Sequence, residues 1–198
     1  MTTRATKDLE VFVDYVCPFC LLVEPALQKV KTMRDVNIRI RPFELRPDPV
    51  PTLRPEDEYL PRVWAKSVYP MANRVGIDIK LPDISPQPRT EKAFTVLQLA
   101  EESGLAEEYS AAMFRAFFQE NRDIGNDEVI ADVAESVGLP RDEVLRAIKD
   151  AERIVAHRSE QKFYRNSLDI PAVPSFRIGD RITSGVPDVD DLIRFIDG

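Results

Sequence analysis

The two cysteines of this chain are Cys17 and Cys20, separated by Pro18 and Phe19, and the sequence holds no others. Two cysteines placed at random in a chain of this length would fall three apart about once in a hundred times. A thiolate can attack a disulfide, and a second thiol one helical turn away can release the mixed intermediate, so this spacing points to thiol–disulfide exchange. Two plainer readings compete. A stapling disulfide across so small a loop would constrain the unfolded chain by roughly 2 kcal/mol, against about 3 for a fifteen-residue loop. A metal site would need four ligands, and two cysteines with one histidine do not supply them without oxygen donors. Redox chemistry is the reading carried forward.

The elements that position the pair are also legible. Leu9 to Tyr15 is apolar and β-branched enough for a strand, and Pro18 suits the first turn of a helix, where its missing N–H has no intrahelical acceptor. That helix is expected to run to about Met33 with a kink at Pro25. Val36 to Phe43 alternates with period two and reads as a second, parallel strand. Pro42, Pro47, Pro49, Pro51 and Pro55 then break regular structure. From about Glu56 to Tyr164 the periodicity is helical. Gly104 and Gly138 are expected as helix stops, Asn126 as an N-cap, and one long charged helix over 141–163 with Val144, Leu145, Ile148 and Val155 on its apolar side. Gly179-Asp180 between two short β-prone runs predicts a hairpin, and 187–196 a final helix. The order is βαβ, a helical block, then ββα. The organisation expected is a discontinuous domain, 1–45 with 165–198, carrying an inserted helical domain over 46–164.

With 198 residues, 43% hydrophobic and 31% charged, the chain can bury a core. Its net charge of −7 disfavours phosphate backbones, so nucleic acid is not an expected partner. No stretch approaches the length of a membrane span. The first residues lead into the first strand without an apolar signal region, which predicts a cytoplasmic protein, where disulfides are more often catalytic than structural.

The motif and the element order together resemble the thioredoxin fold with a helical insertion, as in the DsbA family of disulfide oxidoreductases. Cys17-Pro18-Phe19-Cys20 and Val173-Pro174-Ser175-Phe176 carry the resemblance. The Asp14-Tyr15-Val16 lead-in and Phe43-Glu44-Leu45-Arg46-Pro47 are similar to the FrnE-like branch. The resemblance implies an α/β fold, Cys17 as nucleophile and Cys20 as resolving thiol. It implies a cis Pro174 facing them, with the Val173 backbone available to an extended substrate. It also implies no bound cofactor, with a disulfide- or thiol-containing protein or a small thiol such as glutathione as redox partner. Family members with histidine after the proline are strong oxidants; Phe19 offers no hydrogen bond or charge, so a less oxidising disulfide is expected here.

The proton acceptor for Cys20 is not given by the motif. The acid that thioredoxin relatives often carry six positions before the first cysteine is replaced by Val11. Glu24, four residues after Cys20, is the candidate acceptor. Glu24, Asp14 and Glu44 each read more readily as solvated or salt-bridged acids. His157, among Arg153, Arg158 and Glu160, reads as a surface residue. Trp64, Tyr69 and Met71 are candidates for a groove wall or for core. Arg39, Arg41, Arg46 and Arg54 are either receivers of an anionic thiol or solvated charges. Two other functions share this architecture. One is a glutathione-dependent isomerase or transferase of the 2-hydroxychromene-2-carboxylate isomerase or kappa-class type, for which Cys20 would be superfluous. The other is a peptide-binding chaperone.

Overall fold

A computed structural model describes residues 6–198. Strand β1 (Lys7–Val13) leads through Asp14-Tyr15-Val16 into α1 (Pro18–Leu22) and α2 (Glu24–Met33), and β2 (Val36–Pro42) returns parallel to β1. β3 (Ser175–Ile178) pairs antiparallel with β1, and β4 (Arg181–Ser184) with β3, giving the order β2-β1-β3-β4. The chain closes with α10 (Val189–Asp197). β1 is central, and its Leu9, Val11, Phe12 and Val13 are all buried, as a strand covered on both faces requires. Pro42 sits at the end of an edge strand, where its missing donor costs no ladder bond.

The first helix is two helices rather than one kinked rod. Pro25 has no N–H to offer the Leu21 carbonyl, so the ladder ends at Val23 and α2 starts afresh with Pro25 in its first turn.

Between β2 and β3 lie α3 (Tyr59–Val63), a π-helical turn (Trp64–Val68), α4 (Tyr69–Val75), α5 (Glu91–Glu102), α6 (Ala106–Phe118), α7 (Asp127–Ser136), α8 (Arg141–Ala147) and α9 (Ala151–Asn166). Residues 77–90 are irregular, so the helical block is less continuous than its composition suggests. The expected long charged helix is divided as well. Asp150 accepts from the Glu152 and Arg153 amides at 2.8 and 3.3 Å and caps a new helix. That restart rotates the buried face onto His157, Gln161 and Tyr164, and leaves Val155 62% exposed instead of on the apolar side.

An aromatic cluster joins sheet to helices. The Tyr15 ring stacks on Phe94 of α5 at 4.6 Å and meets Tyr109 and Phe114 of α6 edge-on. The Tyr15 hydroxyl is 3.0 Å from Ser110 Oγ. This clamp lies two residues before Cys17, so the segment bearing the cysteines is fixed to α5 and α6 as well as to the sheet.

Candidate functional site

Cys17 is the N-cap residue of α1, with its amide donating to the Asp14 carbonyl at 2.9 Å. The helix that follows turns Cys20 back beside it, and the Cys20 amide bonds the Cys17 carbonyl at 3.1 Å. Both thiols are free and buried, Cys20 more completely. Burial pushes the Cys20 thiol well above its ordinary range, and the neighbouring Cys17 sulfur adds to the rise. Cys17 Sγ donates to the Val173 carbonyl at 3.6 Å, across 156 residues of sequence. The Val173–Pro174 peptide is cis, and the Pro174 carbonyl accepts from the Gly185 amide at 3.0 Å. The fold therefore brings Cys17, Cys20 and Val173-Pro174 into one place at the end of the central strand.

Two cavities flank the dithiol. The larger, about 200 Å³, is lined by Cys17, Pro18, Phe19 and Val173 and by Leu60, Val63 and Trp64 of the helical block. The smaller, about 30 Å³, is shared by Cys20, Glu24 and Ser110 beneath apolar side chains of β1, β2 and α6. Glu24 is half-buried, and burial raises its carboxyl to about 7 against the opposing pull of Arg115.

Asp14 and Glu44 are not solvated acids. Asp14, 1% exposed, accepts from Thr90 Oγ at 2.8 Å and from the Leu45 amide at 2.7 Å. Burial outweighs these bonds and lifts it to about 6, with the Glu44 charge adding to the rise. Glu44 Oε1 lies 2.7 Å from His157 Nε2, and both side chains are buried. Gln161 brackets the Glu44 backbone with two 2.9 Å bonds, and Arg165 reaches its carbonyl. His157 is thus a core residue of α9 rather than a surface one. Each of the pair is buried at tolerable cost because the other is there. Glu44 and His157 tie α9 to the segment after β2 and do not line either cavity at the cysteines.

Of the three aromatic or sulfur side chains weighed as a groove wall, only Trp64 lines the Cys17 cavity, while also being fully buried. Tyr69 packs edge-on against Trp64 at 5.3 Å, and Met71 faces a separate groove beside Leu22 and Pro25. The four arginines divide likewise. Arg39 pairs with Asp8, Arg41 with Glu10 and Glu101, and Arg54 with Glu56. Arg46 alone of the four lines the cavity. Thr90, Leu53, Tyr59 and Ser110 complete the two cavities from positions that no local motif marks. Among the described residues no three His, Cys, Asp or Glu side chains converge as a metal site.

A strand-end dithiol facing a cis-proline segment, on a sheet interrupted by helices, defines a thioredoxin-like protein. The chain belongs to the DSBA-like thioredoxin domain family, whose model matches residues 8–197. It is 37% identical over 186 residues to YwbO, an uncharacterised protein of Bacillus subtilis, covering 93% of each chain. Among solved structures it resembles the cytosolic disulfide reductase DsbM of Pseudomonas aeruginosa, one structure of which carries glutathione (TM-score 0.72, 17% identity, 96% of this chain and 97% of that one). It also resembles a 2-hydroxychromene-2-carboxylate isomerase (TM-score 0.75, 16% identity, 96% and 93%). One fold hosts both chemistries, so the choice between them rests on the site.

Proposed function

We propose that the chain is a cytoplasmic thiol–disulfide oxidoreductase in which Cys17 attacks and Cys20 resolves. The observation that carries this reading is the asymmetry of the pair. Cys17 borders the large cavity and the Val173 carbonyl, whereas Cys20 sits behind it with an acid of raised pKa in a cavity big enough for about one water.

In the reducing direction the Cys17 thiolate attacks a substrate disulfide, forming a mixed disulfide and expelling one substrate thiolate, which takes up a proton. Glu24 then accepts the Cys20 proton, directly or through a water. Cys20 attacks the Cys17 sulfur, releasing the second substrate thiol and leaving the Cys17–Cys20 disulfide. Two small thiols, glutathione being one such donor, regenerate the dithiol and become a disulfide. The same steps reversed oxidise a dithiol substrate. A carboxylate titrating near 7 is well matched to the acceptor role, being ionised enough to take a proton and basic enough to hold it.

The test is the pair of variants Cys20→Ser and Cys17→Ser. The first should accumulate disulfide-linked species through Cys17, and the second should abolish turnover of insulin or of a dithiol peptide. Retained turnover in both removes the assignment. A protein that needs Cys17 and is indifferent to Cys20 belongs with the isomerase or transferase reading instead.

A further inference from the structure

The cavity beside Cys17 has walls that a simple dithiol reagent would not require. Phe19, Leu60, Val63 and Trp64 are among the residues that line it, and its volume is about 200 Å³. An apolar cavity of about 150 Å³ takes up benzene, so this one holds a phenyl group with little room left over. Tyr59 and Leu45, 49% and 41% exposed, form a rim at the surface, so an attached group can enter while its backbone stays outside.

Charge is arranged around the same opening. Arg46 donates to the Pro51 carbonyl at 3.1 Å and, among the described residues, has no carboxylate within ion-pair distance. Its neighbour Arg89 is paired with Asp48 at 3.4 Å and also donates to the Arg46 carbonyl. Arg46 therefore presents an uncompensated cation at the cavity, while the buried Asp14 carboxyl in the wall excludes a second anion from its depth.

Resting on the oxidoreductase reading, we propose that this cavity is a subsite for an aromatic side chain adjacent to the substrate's reacting cysteine, with the main-chain carboxylate of that aromatic residue, left outside the cavity, held by Arg46. Phe19 then acts as a wall that reads the substrate. Ring entry seats the neighbouring sulfur at Cys17 and the extended substrate backbone along Val173.

The test uses the symmetric disulfides of N-acetyl-cysteinyl-phenylalanine, its C-terminal amide, and N-acetyl-cysteinyl-glycine, each reduced in a single turnover by the protein in its dithiol form. The phenylalanyl acid should react about ten- to a hundredfold faster than the glycyl one in the second-order rate, the gain expected from filling an apolar pocket. It should react a few-fold faster than its own amide. Val63→Trp, which fills the cavity, should narrow the phenylalanyl-to-glycyl ratio, and Arg46→Gln should remove the acid-to-amide difference. Equal rates for phenylalanyl and glycyl disulfides overturn the aromatic subsite, and equal rates for acid and amide overturn the role of Arg46. If none of the three is reduced, the oxidoreductase reading itself falls, which is a separable result.

Discussion

The cavity on the Cys17 side holds about 200 Å³ and is walled by the helical block, while the one on the Cys20 side holds about 30 Å³ and lies under the sheet and α6. The first borders a buried aspartate tied down by Thr90 and Leu45; the second is lined by Glu24, whose rise is opposed by the charge of Arg115, and by Glu107, which pairs with Lys31. On the proposed reading, one side admits a substrate group and the other lets a proton leave. On that reading the two thiols, three residues apart, do different work because of what surrounds them.

The largest effects expected follow from that division. Cys17→Ser loses exchange altogether, whereas Cys20→Ser keeps the first attack and stalls as a mixed disulfide. Next comes Glu24→Gln, expected to slow release of the mixed disulfide by about a hundredfold at pH 8 without changing its formation. The wild-type release rate should rise with pH through about 7, where Glu24 ionises, and that inflection should vanish in the variant. Release that keeps the inflection without Glu24 would assign the proton to another group and undo the comparison.

Stability gives a second measure of the same acid. Glu24 and Asp14 bind protons more tightly in the fold, near 7 and 6, than their unperturbed 4.5 and 3.8. The folded state therefore carries more protons between about pH 4 and 7, so stability falls as pH rises across that window and levels off above it. Glu24→Gln should recover up to about 3 kcal/mol at pH 8 and almost nothing at pH 4, read from urea midpoints at the two pH values. Asp14→Asn should show no such recovery, because the Thr90 hydroxyl donates to one carboxylate oxygen and the Leu45 amide to the other, and an NH2 in either place cannot accept. Equal gains for the two variants would mean that the two acids are not differently held.

What the sequence disclosed and what it hid divide along the range of the interaction. Cys17-Pro18-Phe19-Cys20, the βαβ order, the Asn126 cap and the Gly179-Asp180 turn are written in neighbouring residues, and the structure places each where the pattern indicates. Glu44 and His157 are 113 residues apart, and each alone looks like a surface residue. Their burial is decided by the pairing, which no local pattern carries. Asp14 is hidden in the same way behind Thr90, 76 positions on. The break before α9 was open to reading, since Asp150 is a good N-cap, but a continuous run of charges masked it. Trp64 shows why groove wall and core were not alternatives: it is buried in the protein and lines the cavity with one edge.

The smallest expected effect concerns the arginines, and it tests whether charge or position matters at the Cys17 side. Arg39 lies 3.6 Å from Asp8 and Arg54 3.5 Å from Glu56, both about half exposed, and Arg41 is held by Glu10, which also bonds Arg177 across the sheet. A cation beside its own carboxylate contributes little net field beyond the pair, and salt screens what remains. Arg39→Ala and Arg54→Ala should therefore change the reduction rate of an anionic disulfide by less than about twofold, and raising the salt should not enlarge the change. Arg46, with no such partner among the described residues and a place in the cavity lining, should exceed both. If the three substitutions cost the same, the effect is a diffuse basic surface attracting anions, and the Cys17 cavity has no anion-recognising element of its own.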